Sequence, residues 1–244
     1  MRQRKGIPMD IKDSVVLVTG ANRGIGAEWV RQLRARGAAK IYAAARDPQS
    51  VDRVDGVVPL ALDVTDRAQV TAAATQAGDV RIVVNNAAIS VKQPLIGGDI
   101  DKIRDEFETN AFGIVYVAAA FAPVLKANGG GAIVNALSAV SWFSFPGMAG
   151  YSASKSAAWS LTDALRLELA DQGTLVIGLH SGAVDTAMGD NFPIDKIDPH
   201  QVVSAALDAL EEGRTEVLAD EISRVIKSTL TSDPARYEAI LSSP

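Results

Sequence analysis

Short apolar runs alternate along the chain with longer segments whose apolar positions recur at helical spacing. The β-branched runs predict strands at Val15–Thr19, Lys40–Ala44, Val57–Leu62, Arg81–Val84, Ala132–Leu137, Leu175–Leu179 and Glu216–Leu218. The segments between them predict helices at Ile25–Arg36, Arg67–Ala77, Ile100–Lys126, Ala149–Asp171 and Pro199–Glu212, followed by one or two more. Apolar strands separated by helices are typical of a parallel sheet covered on both faces. The pattern therefore predicts an α/β fold, a doubly wound sheet of about seven parallel strands flanked by helices on both faces.

Chain length sets the expected domain organisation. The 244 residues suit one large α/β domain, and no linker, repeat or low-complexity segment divides them. Residues 1–8 are basic, but Asp10, Lys12 and Asp13 follow at once, so the apolar run of a signal peptide is missing. We predict a disordered extension at 1–8, with Met9 as a possible natural start, and a single catalytic domain over 9–244.

Composition excludes several classes of protein. The net charge of −5 gives no basic surface for nucleic acid or anionic lipid. There is no cysteine, which removes disulfides and thiolate chemistry, and the histidines His180 and His200 are not spaced as a metal pair. No apolar run approaches the roughly 18 residues of a membrane span. We expect a cytoplasmic, metal-free protein with a small-molecule substrate.

A glycine-rich turn follows the first predicted strand. It reads Thr19-Gly20-Ala21-Asn22-Arg23-Gly24-Ile25-Gly26 and leads into a helix. Gly20 permits a tight turn, Gly24 lets the backbone approach a pyrophosphate, and Gly26 lets the helix lie close to the sheet. The helix N-terminus offers free N–H groups to the phosphates. The strand–turn–helix context favours a Rossmann-like dinucleotide site over an ordinary βα turn.

The end of the second strand indicates which dinucleotide binds. A carboxylate there favours NAD, whereas an arginine accepts the 2′-phosphate of NADP. The strand ends at Arg46, and Arg23 lies on the same side. Their guanidinium groups match a phosphate, although two solvated surface arginines are the alternative and Asp47 follows directly. The sequence therefore favours NADP(H), with NAD(H) possible.

Three polar residues indicate acid–base chemistry. Tyr151 and Lys155 lie at i and i+4 of a helix and share a face. A free tyrosine has a pKa of about 10, and a nearby ammonium is expected to lower it towards neutrality. Ser138 ends a buried strand thirteen residues before Tyr151, at the sheet edge where ligands of such folds bind. That spacing favours Ser138 over its neighbour Ser141.

These motifs together resemble the classical short-chain dehydrogenases/reductases, over nearly the whole chain from Ser14 on. The family's glycine motif corresponds to Thr19–Gly26, its acidic adenine contact to Asp63, and its N-N-A-G motif to Asn85–Ala88, with Ala88 in place of glycine. The tetrad asparagine corresponds to Asn110, and Ser138, Tyr151 and Lys155 complete the tetrad. The nicotinamide segment corresponds to 181–186, with Ser181 in place of the usual proline.

The resemblance implies a nicotinamide-dependent oxidoreductase, a carbonyl reductase or secondary alcohol dehydrogenase. Tyr151 would exchange the proton, Ser138 would bind the substrate oxygen, Lys155 would bind ribose, and Asn110 would position a water, a bridge between helix turns being its alternative. The implied cofactor contacts are Gly20, Asn22, Arg23, Gly24, Ile25, Gly26, Arg46, Asp63, Val64, Asn86, Ala87, Ala88, Tyr151, Lys155, Gly182, Val184 and Thr186.

Apolar residues near the implied tetrad predict an open pocket for hydrophobic carbonyls or alcohols. Besides Ser138, its predicted lining is Trp142, Phe143, Phe145, Met148, Met188 and Phe192, with plain packing of the aromatic cluster as the alternative. We expect His180 to pack or to hydrogen-bond locally rather than to catalyse.

Assembly and rival functions complete the expectations. The helices at Ile100–Lys126 and Ala149–Asp171 are unusually apolar, and family members pair these helices, so we expect a homodimer or homotetramer. The rivals are a nucleotide-sugar epimerase or dehydratase and a non-catalytic nucleotide sensor. The former usually has a different glycine spacing, and the latter tends to lose Tyr or Lys, which this chain keeps.

Overall fold

The computed structural model describes residues 7–189 and 195–230. Its strands are β1 (Val15–Thr19), β2 (Lys40–Ala45), β3 (Val57–Ala61), β4 (Ile82–Asn85), β5 (Gly131–Ala136), β6 (Thr174–His180) and β7 (Glu216–Leu218). They form one parallel sheet in the order β3-β2-β1-β4-β5-β6-β7. The predicted seven-stranded, doubly wound architecture is confirmed.

Helices cover both faces of this sheet. They are α1 (Gly24–Ala35), α2 (Arg67–Gln76), α3 (Ile100–Phe107), α4 (Gly113–Ala127), α5 (Ala149–Glu168), α6 (Pro199–Glu212) and α7 (Glu221–Ser228). Short 3-10 turns occupy Pro48–Ser50 and Ala139–Ser141. Most predicted ends agree within two residues, but α5 ends at Glu168 rather than Asp171.

Alternation along each strand divides the core into two layers. In β1, Val16 and Val18 face the layer that contains Trp29 of α1, whereas Leu17 faces the layer that contains Phe121 of α4. Side chains of a strand alternate between faces, so apolar residues at every position require helices on both sides. This explains why the strands are apolar throughout.

The long helix predicted for Ile100–Lys126 is interrupted. A π-helical turn at Glu108–Phe112 separates α3 from α4. The segment Ile100–Ala127 is long and apolar enough to span a membrane by those criteria alone. However, Val117, Phe121 and Leu125 are fully buried against the sheet. This segment is therefore a core helix of the fold.

The N-terminal boundary falls near the predicted one. Residues 1–6 of the predicted extension lie outside the described residues, and Ile7 is exposed. The Met9 side chain is buried and its N–H donates to the Leu210 carbonyl oxygen at 2.9 Å. The described part of 9–244 shares one sheet, and we retain a single domain as a proposal.

Candidate active site

The glycine turn joins β1 to α1 with left-handed backbone at Gly20 and Gly24, whose φ angles are +64° and +52°. A Cβ at Gly26 would overlap the carbonyl oxygen of Gly20, so no larger residue fits there without movement. The first turn of α1 has neither a side-chain cap nor an acidic residue. Its backbone N–H groups therefore remain available for an anion.

A hydrogen-bond network holds this turn against the end of β4. Thr19 Oγ1 accepts from the N–H groups of Asn86 and Ala87 at 3.0 and 3.1 Å. Asn86 Nδ2 donates to the carbonyl oxygens of Thr19 and Gly20 at 3.0 and 3.2 Å. The predicted cofactor contacts Asn86 and Gly20 are thus neighbours, and the Asn86 amide orders the turn itself.

The second strand ends beside two exposed arginines. The side chains of Arg23 and Arg46 make no hydrogen bond or ion pair with any other described residue. Asp47, in contrast, caps the Pro48–Ser50 turn, where its carboxylate accepts from the Gln49 N–H at 2.9 Å. The arginines are therefore available for a ligand, while the neighbouring acid has a local role.

Asp63 and its neighbour lie after β3. The Asp63 carboxylate accepts from both the N–H and the hydroxyl of Thr65, at 2.9 and 2.8 Å. Val64 is buried, and a Cβ at Gly113 would lie 2.9 Å from its methyl group. Asp63 is half-buried, so it remains reachable at the carboxyl edge of the sheet.

Ser138 begins the turn that follows β5. Its hydroxyl accepts from the Val140 N–H and donates to the Ser181 carbonyl oxygen, both at 3.3 Å. The Ser141 hydroxyl in turn accepts from the Ser138 N–H at 3.3 Å. Ser141 therefore supports Ser138, and the two serines have different positions in the turn.

Tyr151 and Lys155 lie in the first turns of α5, packed against this turn. Lys155 is 2% exposed and its Nζ donates to the carbonyl oxygen of Ala136, at the end of β5, at 2.7 Å. The same Nζ lies 5.7 Å from the ring centroid of Tyr151, which is half-buried. Ser138, Tyr151 and Lys155 thus belong to one region at the carboxyl edge of the sheet.

Burial perturbs both ionisable groups. It lowers the pKa of Lys155 to about 8, because an ammonium loses hydration there. It also raises the pKa of Tyr151 above its usual value, and the carboxyl group of Glu106 raises it further. Desolvation of the phenolate, the larger of the two causes, opposes the lowering of the Tyr151 pKa by Lys155 that the sequence predicts.

Asn110 lies inside the π-helical turn and is fully buried. Its Oδ1 accepts from the Ile89 N–H at 2.8 Å, and its Nδ2 donates to the Ile89 carbonyl oxygen and to Ser154 Oγ at 2.9 and 3.0 Å. Ser154 donates onward to the Tyr151 carbonyl oxygen at 2.8 Å. The Asn110 side chain thus connects the segment after β4 to the helix that carries Tyr151.

The segment after β6 closes over the glycine turn. The Gly182 N–H donates to Asp220 Oδ2 at 2.6 Å, and Val184 forms an isolated parallel bridge with Ile197. A Cβ at Gly24 would lie 3.3 Å from the Thr186 methyl group. The predicted nicotinamide segment and the predicted pyrophosphate turn are therefore in contact range.

The predicted pocket residues differ in exposure. Trp142 is 6% exposed, and its ring stacks on His180 at a centroid distance of 4.0 Å and meets Trp159 edge-on. Trp142 therefore packs in the interior, which is the alternative to a pocket lining that the sequence left open. Met148 is also buried, whereas Phe143 and Phe145 are half-buried and Met188 is 40% exposed. Phe192 lies outside the described residues.

Two buried polar residues were not singled out as functional from the sequence. Glu106 is 1% exposed, and Ser154 accepts a hydrogen bond from the Asn110 amide and so links that amide to α5. The sequence holds one signal for Glu106. It lies four residues before Asn110, at a position of α3 where the helical spacing predicts an apolar residue. His180 packs as expected: its Nδ1 is 3.1 Å from the Ser138 carbonyl oxygen, and burial lowers its pKa to about 3.

The fold and this site define a nicotinamide-dependent oxidoreductase. A model of the short chain dehydrogenase family matches residues 14–196, and the chain belongs to that family. The predicted family membership is confirmed.

Solved structures and a curated relative agree. A short chain dehydrogenase from Burkholderia cenocepacia J2315, in complex with NADP, is 40% identical and covers 97% of this chain and 100% of its own, with a TM-score of 0.91. A short chain dehydrogenase/reductase from Burkholderia phymatum, in complex with NAD, is 25% identical over 95% of each chain, with a TM-score of 0.82. Pig "Carbonyl reductase [NADPH] 2" is 33% identical over 73% of this chain and 75% of its own.

Proposed function

We propose that this protein is an NADP(H)-preferring enzyme that interconverts a ketone or aldehyde and the corresponding alcohol. The observation that carries the proposal is the placement of Tyr151, Lys155 and Ser138 in one region, at the same sheet edge as the glycine turn. An alcohol dehydrogenase or carbonyl reductase needs both a dinucleotide site and an acid–base group next to it.

The chain's residues divide the work as follows. Tyr151 gives a proton to, or takes one from, the substrate oxygen. The Ser138 hydroxyl accepts from the Val140 N–H and turns its single proton from the Ser181 carbonyl oxygen to the substrate oxygen, to which it donates as charge develops there. Lys155 holds ribose hydroxyls and its positive charge favours the Tyr151 phenolate that forms during reduction.

The Asn110 side chain is held by other groups of the protein. Both N–H bonds of its amide are used by the Ile89 carbonyl oxygen and Ser154, and its Oδ1 accepts from the Ile89 N–H. We therefore assign its contribution to the proton relay to the backbone of the π-helical turn that it stabilises. A π turn shifts carbonyl groups out of α-helical register, and such turns occur frequently at functional sites.

The dinucleotide fits the residues present. Gly20, Gly24 and Gly26 leave no side chain between the backbone and a pyrophosphate, and α1 presents uncapped N–H groups to it. When bound, a nicotinamide supplies or accepts the hydride. Gly182, Val184 and Thr186 would hold its ring side, and Asp63 and Val64 its adenine side.

Arg46 and Arg23 support a preference for NADP(H). Both are exposed at the end of β2 and the start of α1, where a 2′-phosphate would lie, and Asp47 is occupied in capping. The Burkholderia cenocepacia relative was solved with NADP. Another relative was solved with NAD, so the arginines rather than the family carry this proposal.

The substrate we propose is a small hydrophobic carbonyl compound or secondary alcohol. Phe143 and Phe145, in the segment between Ser138 and Tyr151, and Met188, after β6, offer partly open apolar surface, and the pig relative is named as a carbonyl reductase. We further propose a homodimer or homotetramer, because Phe112 and Leu167 expose 47% and 80% of their surface on the two helices predicted to pair. A cytoplasmic location is part of the same proposal.

The test is a panel of ketones, aldehydes and alcohols followed by the absorbance of reduced nicotinamide, with NADPH and NADH compared. We expect turnover of hydrophobic carbonyls and a higher kcat/KM with NADPH. Arg46→Ala should lower kcat/KM for NADPH by about tenfold or more and leave NADH nearly unchanged. Arg31→Ala, on the exposed face of α1, is the matched control. Equal losses with both cofactors would contradict the assignment of Arg46.

A further inference from the structure

The row of hydrogen bonds between β6 and β7 extends beyond the end of β7. The Gly178 N–H donates to the Thr215 carbonyl oxygen at 3.0 Å. N–H groups that face the same neighbouring strand recur at every second residue, so this row of donors reaches Gly182. By then the neighbouring strand has ended, because β7 ends at Leu218 and α7 begins at Glu221. The Gly182 N–H therefore needs an acceptor from outside the sheet.

Asp220 supplies that acceptor with its side chain. Its Oδ2 accepts from the Gly182 N–H at 2.6 Å, while its Oδ1 accepts from the Ser223 N–H at 2.8 Å and caps α7. A hydrogen bond to a carboxylate is stronger than one to a neutral acceptor. A Cβ at Gly182 would lie 3.0 Å from the same Oδ2, so the two residues are closely packed. One carboxylate thus binds α7 and the nicotinamide segment together.

The other end of the same peptide group meets the turn that carries Ser138. The Ser181 carbonyl oxygen belongs to the same peptide unit as the Gly182 N–H. It accepts from the Ala139 N–H at 2.8 Å and from the Ser138 hydroxyl at 3.3 Å. Rotation of this peptide unit would break the bonds at both of its ends. The Asp220 carboxylate therefore fixes a group that contacts both the Ser138 turn and the nicotinamide segment.

The helix that carries this carboxylate is itself packed against the Ser138 turn. Ile226 of α7 is 1% exposed and packs with Ala139 and Trp142. Lys227, the next residue, forms an ion pair with Glu216 of β7. The position of Asp220 is thus set by the same part of the fold that it helps to order.

We propose that Asp220 is a positioning residue of the proposed reaction, which holds the peptide group between Ser181 and Gly182. Through this group it orients the nicotinamide segment and the resting Ser138 hydroxyl. A carboxylate at the N–H end polarises the peptide group and strengthens its carbonyl oxygen as an acceptor. The inference rests on the role proposed for the nicotinamide segment, residues 181–186. Because the adenosine half of the cofactor would be held at the glycine turn, the two halves should respond differently when Asp220 is changed.

The first test compares the binding of NADPH with that of 2′-phospho-ADP-ribose, which lacks the nicotinamide ring. Asp220→Ser keeps an oxygen to cap α7, but its shorter side chain has no second oxygen for Gly182. Calorimetry should show about tenfold weaker binding of NADPH and unchanged binding of the truncated ligand. Asp99→Ser, at the N-cap of α3, is the matched control and should change neither affinity.

A second variant gives the same test with almost no change in side-chain volume. Asp220→Asn has one acceptor oxygen for two N–H groups, so it should also lose affinity for NADPH alone. Equal losses for both ligands, or no loss for either, would overturn the inference. A wild type that binds neither ligand would overturn the proposed function and the inference with it.

The link to Ser138 is tested by a double-mutant cycle in kcat for carbonyl reduction at saturating NADPH. Ser138→Ala removes the hydroxyl through which part of the effect passes. The loss caused by Asp220→Ser should therefore be smaller in the Ser138→Ala background, by about threefold or more. Losses that simply multiply would contradict the action of Asp220 on the Ser138 hydroxyl.

Discussion

Two residues at the start of α5 have charged forms that burial disfavours. The Lys155 ammonium is 2% exposed with a pKa of about 8, and the pKa of Tyr151 is raised. The proposed reaction needs the opposite charges to form transiently, a phenolate beside an ammonium. At the scale of single residues, the charged forms that the proposed reaction needs are therefore the forms that burial makes less stable.

We predict that Tyr151→Phe folds normally and loses about 100-fold or more of its turnover, since only the hydroxyl that moves the proton is removed. Steady-state kinetics with a competent carbonyl substrate, together with a thermal melt, checks this. Tyr116→Phe, whose hydroxyl binds Glu108 away from Ser138, is the control. A Tyr151→Phe enzyme that keeps the wild-type rate would refute the acid–base assignment.

Lys155→Met should change the way in which the stability of the protein depends on pH. The folded-state pKa of Lys155 is about 8 against the ordinary 10.5, so the unfolded chain binds more protons between these values. Stability of the wild type relative to Lys155→Met should therefore rise from pH 8 to about pH 10.5, by about 3 kcal/mol in total. Denaturant titrations at several pH values measure this difference, and Lys126→Met, at the surface, should show none. Parallel curves for the wild type and Lys155→Met would contradict it.

Among the elements, the β1–α1 turn has no room for a side chain at Gly26. The space that a methyl group at Gly26 would need is occupied by the Gly20 carbonyl oxygen. The turn is also fixed by Thr19 and Asn86 from the other side, so it cannot yield easily.

Gly26→Ala should therefore destabilise the protein by about 1–3 kcal/mol and weaken dinucleotide binding at least tenfold, because overpacking displaces the turn. Chemical denaturation and titration of protein fluorescence with NADPH measure the two effects. Gly78→Ala, where the nearest atom is at 3.8 Å, is the control and should change neither. Normal NADPH affinity in Gly26→Ala would show that the turn does not hold the phosphates.

Elements that depend on neighbouring residues could be predicted from the sequence, and those that depend on residues distant in sequence could not. Strands such as Val15–Thr19 and the turn at Gly20–Gly26 follow from local pattern, and their bounds agree with prediction. The π turn around Asn110 does not, because it depends on Ile89 and Ser154, which are distant in sequence. The raised pKa of Tyr151 is also hard to predict from the sequence, because its largest cause is burial, which depends on the whole fold.

For the whole molecule, two of the large apolar side chains that remain exposed lie on the helices predicted to pair. Leu167 on α5 is 80% exposed and Phe112, at the start of α4, is 47% exposed and stacked on Tyr116. Contiguous exposed apolar surface is typical of a protein interface. The proposed homo-oligomer would cover them.

We predict that light scattering gives a mass of at least a dimer at micromolar concentration. Leu167→Glu should shift it towards the monomer, since a charge in an apolar interface is left unpaired. Ile222→Glu, on α7 and 38% exposed, is the control and should leave the mass unchanged. A stable wild-type monomer would refute the proposed assembly.

The contact range between Thr186 and Gly24 has a practical consequence for engineering. The segment after β6 is the natural place to graft new sequence when a different substrate is wanted. Because the same segment rests on the turn proposed to bind pyrophosphate, a graft there would alter coenzyme retention together with substrate choice. Libraries built at this position should be screened at saturating and at limiting coenzyme concentrations, so that weaker coenzyme binding is not mistaken for a loss of substrate specificity.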